Sequence, residues 1–112
     1  MAEHNNFGKQ GEDFAKQYLI DNGYKILETN WRSGHLEIDI IAQKYDFLSI
    51  IEVKTRASNA YGYPEEFINK AKMRNLVRAA EVYILRKGYQ HGARFEIISL
   101  TKKGDTFEVE HF

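Results

Sequence analysis

Residues 36–56 read "LEIDIIAQKYDFLSIIEVKTR". Two runs rich in Ile, Leu and Val, 36–42 and 47–56, flank the short polar connection "QKYD". That arrangement predicts two strands joined as an antiparallel hairpin or meander. Both runs are apolar on both faces over much of their length, which argues for central positions in a sheet. Four ionisable residues nevertheless interrupt them: Glu37, Asp39, Glu52 and Lys54. Side chains alternate along a strand. Strict alternation puts Glu37, Asp39 and Ile41 on one face, with Leu36, Ile38 and Ile40 on the other. In the second run it groups Leu48, Ile50, Glu52 and Lys54 against Phe47, Ile51 and Val53.

Outward from this pair the pattern continues. Residues 5–22 predict a helix, with Phe7, Gly11, Phe14, Ala15, Tyr18 and Leu19 at spacings of three and four and Gly23 as a stop. Residues 24–32 predict a strand, and Gly34 marks a turn. Residues 57–64 predict a loop. Pro64, Glu65 and Glu66 predict a helix start, because proline suits the first turn and acids complement the dipole. That helix is expected to run to about Lys87 and stop at Gly88. Met73, Leu76, Val77, Ala80 and Ile84 form its expected apolar stripe, with Lys70, Arg74 and Arg78 in a row along one flank. Residues 93–101 and 106–112 predict strands joined by "KKGD". The order αβββαββ predicts a single α/β domain over 1–112, a mixed central sheet flanked by helices.

Composition narrows the function. The chain has no cysteine, which excludes disulfides, thiolate metal sites and a cysteine nucleophile. The four histidines, at 4, 35, 91 and 111, are too dispersed in sequence to suggest a histidine metal site. No apolar run approaches the roughly 18 residues of a membrane span, and "MAEHNNFGKQ" has no apolar signal core. A cytoplasmic protein without a membrane partner is expected. Net charge is zero, which disfavours bulk electrostatic binding of nucleic acid. Distribution counts for more: residues 70–87 hold six basic residues against Glu81 alone.

Burying a carboxylate costs on the order of several kcal/mol unless it is paired or bound to a metal. Neighbouring carboxylates also raise each other's pKa. A divalent cation answers both, and hard oxygen ligands select Mg²⁺ or Mn²⁺. Taken singly, each charge reads as a strand-end ion pair, as Glu52 with Lys54 would be. Together, an acid followed a dozen residues later by acid–apolar–lysine places two carboxylates and an ammonium on neighbouring strands. Phosphodiester hydrolysis needs such a set: a metal to neutralise phosphate charge and a cation to orient or activate the attacking water.

Asp39 followed by Glu52–Val53–Lys54 resembles the PD-(D/E)xK motif of the restriction-endonuclease-like superfamily. The likeness extends over nearly the whole chain. "GKQGEDFAKQYLIDNGYKILETNWR", "EIDIIA", "EVKTR", "YGYPEE" and "RFEII" occur in the order typical of the YraN-like family of small bacterial predicted nucleases. The chain is also similar to archaeal Holliday-junction resolvases. One departure is Ile38, where the superfamily motif has proline; this is usual among YraN-like sequences. The resemblance implies a restriction-endonuclease-like fold and assigns roles. Asp39 and Glu52 would ligate the metal, with the Val53 carbonyl as a further ligand. Lys54 would position the water or stabilise developing charge. Glu12 in "GKQGED" becomes a fourth site residue at the edge, its plainer role being a solvated helix acid beside Asp13. Glu37 has two readings, metal contact or structural ion pair.

Arg56, Lys70, Arg74 and Arg78 are candidates for phosphate contact, against the plain reading of a solvated helix face. Tyr61 and Tyr63 either stack on bases or cover the core, and Trp31 with Arg32 reads as strand packing. The expected function is a metal-dependent endonuclease acting on structured or branched DNA. The alternatives are a nucleic-acid-binding module with a vestigial site and an adaptor that uses the sheet edge. So short a chain has no obvious specificity domain, and a homodimer is allowed.

Overall fold

The computed structural model describes residues 3–57 and 69–112, with side chains from Phe7 onward. Helix α1 spans Glu3–Asp21, and strands β1 (Lys25–Ser33), β2 (Leu36–Lys44) and β3 (Phe47–Arg56) follow. Helix α2 (Lys70–Lys87) then leads to β4 (Ala93–Lys103) and β5 (Thr106–His111). The five strands form one sheet in the order β1-β2-β3-β4-β5. β3 and β4 are parallel and every other pair is antiparallel. Parallel neighbours need a crossover, and α2 lies within it. The expected αβββαββ order and mixed sheet are therefore present.

The two helices cover opposite faces. Ala15 and Leu19 of α1 are buried against Ile40, Ala42, Ile51, Ile98, Leu100 and Phe107. Leu76, Ala79, Ala80 and Tyr83 of α2 are buried against Leu36, Ile38, Ile41, Leu48 and Ile50. This explains why β2 and β3 are apolar on both faces. Trp31 packs edge-on to Tyr83 with ring centroids 5.4 Å apart, so its strand-packing reading holds.

Three expectations need correction. Strict alternation in β2 fails: Leu36, Ile38 and Ile41 face α2, whereas Ile40 and Ala42 face α1. The cause lies next door. Asn30 of β1 adopts a left-handed φ of 52°. The β1–β2 register pairs Thr29 with Ile40 and Trp31 with Ile38, leaving Asn30 and Asp39 between them out of the ladder. A left-handed residue breaks the extended alternation at that level, and the faces reverse across it.

The apolar stripe of α2 is also rotated from the expected one. Met73 and Val77 remain 37% and 36% exposed, while Ala79 and Tyr83 are buried. Leu76 and Ala80 are common to both stripes, and the expected Ile84 packs partly buried against the same core, so periodicity alone cannot choose between their flanks. The buried flank carries a small residue and an aromatic whose hydroxyl lies 3.5 Å from a Glu28 carboxylate oxygen.

The third correction concerns the start of α2. Asn69 is extended, with φ −98° and ψ 177°, and its side chain accepts the N–H of Lys72. That is N-cap geometry, so the helix ending at Lys87 begins after Asn69, with no continuous path from Pro64. Pro64, Glu65, Glu66, Tyr61 and Tyr63 themselves lie outside the described residues. The far end behaves as expected: Gly88, at φ 68°, caps the helix through its N–H to the Ile84 carbonyl.

Candidate active site

β2 and β3 pair from Lys44↔Phe47 as far as Ile40↔Ile51, where the registered ladder ends. The next pair in register would be Asp39 with Glu52. Instead the Asp39 carboxylate accepts the backbone N–H of Val53 at 2.9 Å. A side chain thus takes the place of a strand partner, and the strands part. Beneath α2 the parting opens a cleft of about 360 Å³. Asp39, Glu52 and Glu37 line it from the sheet, Lys72, Asn75 and Leu76 from the helix, and His35 from the β1–β2 turn. Asp39 and Glu52 therefore face one space.

The electrostatics follow from crowding. Burial, then the charge of Glu52, pushes the Asp39 carboxyl up to about 6, against the opposing bond from Val53. Glu52 is only 6% exposed. One of its oxygens, Oε2, carries two ammonium groups, Lys72 Nζ at 2.6 Å and Lys54 Nζ at 3.5 Å. Burial acts to lower the Lys72 pKa. Its bond to Glu52 and the charges of Glu52 and Asp39 outweigh that and hold it above the ordinary lysine value.

The other candidates are dispersed around this core. Glu37 pairs with Arg32 at 3.4 Å, the structural role considered for it, while its charge still acts on Asp39. Glu12 lies on α1, on the other side of the sheet from α2, and its carboxylate accepts a bond from Asn30 Nδ2 at 2.8 Å. Asn30 sits level with Asp39, so Glu12 reaches the site's level through the β1 kink. Arg56 ends β3, two residues beyond Lys54 and opposite Thr101. Lys70, Arg74 and Arg78 are exposed. At 100° per residue they project away from the buried Leu76, Ala79, Ala80 and Tyr83, so they occupy the outer side of α2 and do not flank the stripe.

The site residue missed by sequence reasoning is Lys72. A signal existed: it lies four residues before Leu76 and eight before Ala80, a cation within the buried stripe. Asn75 and His35 had no comparable signal.

Two carboxylates and strand backbone form a hard-oxygen donor set of the kind Mg²⁺ and Mn²⁺ take, with water and phosphate completing the shell. Among the described residues no three His, Cys, Asp or Glu side chains form a ready metal cage. The donor set suits a cation that keeps much of its hydration. No helix among the described residues is long and apolar enough to cross a membrane.

Comparison with known proteins places these features in a family. Residues 11–100 match the model described as "Uncharacterised protein family UPF0102". A UPF0102 protein of Flavobacterium psychrophilum is 47% identical over 112 residues, covering 100% of this chain and 94% of that one. One from Bacteroides fragilis is 43% identical over 111 residues, covering 99% and 92%. One from Persephonella marina is 48% identical over 96 residues, covering 83% and 81%. Among solved structures, Pyrococcus furiosus SfsA in complex with Ca²⁺ aligns with 96% of this chain and 62% of its own, at 11% identity and a TM-score of 0.43. That likeness is too slight to bear on fold or chemistry. The match over residues 11–100, which include Glu12, Asp39, Glu52 and Lys54, together with near full-length relatives above 40% identity, shows that this chain belongs to the UPF0102 family, the YraN-like group.

Proposed function

We propose that this chain has a restriction-endonuclease-like fold and is a metal-dependent endonuclease acting on structured or branched DNA. One observation carries the reading. Asp39, raised to about 6, and the buried Glu52 share a cleft in which lysines stand beside the acids. Perturbed carboxylates in a cleft are a mark of functional sites. Purely structural acids would be cheaper to replace by apolar residues. The parting of β2 from β3, the helices on opposite faces and the parallel β3–β4 pair suit that fold.

Asp39 and Glu52 would hold Mg²⁺ or Mn²⁺. The Val53 carbonyl is a fitting third donor: its N–H points at Asp39, and an extended residue's N–H and C=O point to the same side. The cation would supply charge neutralisation at the phosphate and a low-pKa water. Lys54, held over Glu52, orients the attacking water and stabilises charge on the phosphate oxygens. Arg56 extends the positive rim toward the DNA backbone. Glu12, bonded to Asn30, positions the β1 kink behind Asp39.

The test is purified protein against linear, nicked, flapped and four-way DNA with Mg²⁺ or Mn²⁺. Cleavage that is lost in chelator and in Lys54→Ala supports the reading. Full activity in Lys54→Ala, or activity in excess chelator, sinks it. A second reading, a DNA-binding module without hydrolysis, is favoured by one contact: Lys72 already occupies Glu52 at 2.6 Å. Binding of the same substrates with none cut would select it.

A further inference from the structure

Glu52 Oε2 holds two ammonium groups, Lys72 at 2.6 Å and Lys54 at 3.5 Å, and Asp39 lines the same cleft. Glu37, which also lines the cleft, is paired with Arg32, and the remaining two acids and two lysines balance. Adding a divalent cation between Asp39 and Glu52 would leave two positive charges uncompensated in a poorly solvated space, at contact distances where repulsion is strong. Release of one ammonium relieves that repulsion.

The two lysines are not equivalent. Lys54 is on the same strand as Glu52, two residues on, and its side chain is 29% exposed. Lys72 comes from across the cleft, on the first turn of α2, and its side chain is 38% exposed. A long, unbranched side chain at a cleft's rim can swing its head outward while its stem stays packed. We propose that Lys72 is an exchangeable counter-ion: in the resting chain it occupies the divalent cation's place on Glu52, and when displaced it turns to the cleft mouth and takes a DNA phosphate. The inference rests on the metal-dependent reading. It also explains how that reading and the 2.6 Å contact coexist: the ammonium holds the acids together until cation and substrate arrive.

The test is calorimetric titration of Mn²⁺ into the wild type, Lys72→Met and Asp39→Asn without DNA. Lys72→Met keeps the stem and removes the charge; Lys72→Gln serves if the methionine variant does not fold. The expected result is at least tenfold tighter Mn²⁺ binding in Lys72→Met and none in Asp39→Asn. Equal or weaker binding in Lys72→Met, with the wild type binding normally, overturns the exchange and leaves the metal site standing. Absence of binding in every variant overturns the metal reading itself, and the exchange with it. Anisotropy of labelled four-way DNA in saturating Ca²⁺ reads the second half. Lys72→Met should bind several-fold more weakly, with a salt slope shallower by about 1, the value of one phosphate contact. Unchanged affinity and slope overturn the handover to phosphate.

Discussion

The Asp39 carboxylate and the Val53 backbone N–H are 2.9 Å apart, and this bond stands at the point where the β2–β3 ladder ends. The acid therefore does two things. It satisfies a buried donor that lost its strand partner, and it holds a charge toward Glu52. Its raised pKa records the conflict: burial and Glu52 disfavour the charge more than the Val53 bond favours it.

A pH dependence follows. The folded value is about 6 and the ordinary value 3.8. The folded chain therefore binds this proton more tightly than the unfolded chain does. Stability contributed by Asp39 falls as pH rises from about 4 to about 6, and the deficit is complete above 6. That difference corresponds to about 3 kcal/mol. Asp39→Asn removes the charge, and its amide oxygen still accepts from Val53. Metal-free Asp39→Asn should be as stable as the wild type or more so at pH 7 to 8, by on the order of 1 kcal/mol. Added Mn²⁺ should stabilise the wild type alone. Melts across pH 4 to 8, with chelator and with Mn²⁺, check this. A mutant destabilised by about 3 kcal/mol without metal would instead make Asp39 the partner of a buried cation.

Gly11 fixes how closely α1 approaches the site strand. A Cβ there would lie 2.1 Å from Thr55 Oγ1 and 2.8 Å from its Cγ2. In an open helix, alanine for glycine gains about 1 kcal/mol. Here the clash outweighs it, and Gly11→Ala should cost about 1–3 kcal/mol, as overpacking does. Thr55→Ala in the same chain removes both clashing atoms and should recover part of the loss. Urea titrations of the two single variants and the double variant measure that recovery. A stabilised Gly11→Ala would mean α1 does not lie this close to β3.

Much of the fold was legible because its signals are local. The hairpin in 36–56, the Gly88 stop and the αβββαββ order depend on neighbours a few residues apart. What failed depends on contacts between distant segments. The face reversal in β2 is caused by Asn30 in β1, and asparagine's tolerance of positive φ is visible only once the kink is known. The role of Lys72 requires α2 to lie over Glu52, twenty residues back along the chain. Its position inside the stripe was readable, but the stripe expected from periodicity was turned toward Met73 and Val77. Asp39 and Glu52 were legible as a group because their spacing puts them on neighbouring strands, and they do share a cleft. Glu12 is tied to that cleft only through Asn30.

Glu96 holds a second polar centre, on the α1 side. Its carboxylate accepts from the Tyr24 hydroxyl at 3.0 Å and from Ser49, and contacts His111 Nε2 at 2.5 Å. The Tyr18 hydroxyl and His111 Nδ1 lie 3.1 Å apart. The cluster ties α1, the residue that leads into β1, and strands β3 and β5 to one acid on β4. Burial acts to raise its pKa, but the bonds from His111, Ser49 and Tyr24 prevail and hold it below the ordinary 4.5. A lowered value gives the opposite sign to Asp39. This stability is present above about 4.5 and is lost as pH falls through that value toward the folded one. Glu96→Gln should cost about 2–3 kcal/mol at pH 7, because charged hydrogen bonds to a buried carboxylate are lost. The cost should shrink below pH 4. Melts at pH 3.5 and 7 check both parts, and a cost independent of pH would place the loss in packing.

The outer row on α2 offers a sharper test of where DNA would lie on the proposed site. The sequence makes Lys70, Arg74 and Arg78 candidates for phosphate contact, with a solvated helix face as the plain alternative. In the structure they project away from the face of α2 that closes the cleft, whereas Lys72 points into it and Lys54 and Arg56 lie on β3. A duplex seated on Asp39 and Glu52 meets the inner edge of α2 first. Each phosphate contact contributes close to one unit of slope in log affinity against log salt. If Arg74 and Arg78 both touched phosphate, replacing them by alanine would flatten the slope by about 2 and weaken binding on every sequence. With the cleft as the site, Arg74→Ala/Arg78→Ala should change the slope by less than about 0.5 and affinity by less than about threefold. Arg56→Ala, on the site strand, should lose close to a full unit. Fluorescence anisotropy at four salt concentrations distinguishes the outcomes. A two-unit loss in the double variant would put the DNA across the back of α2, away from the acids, and would separate the binding surface from the carboxylates proposed to do the chemistry.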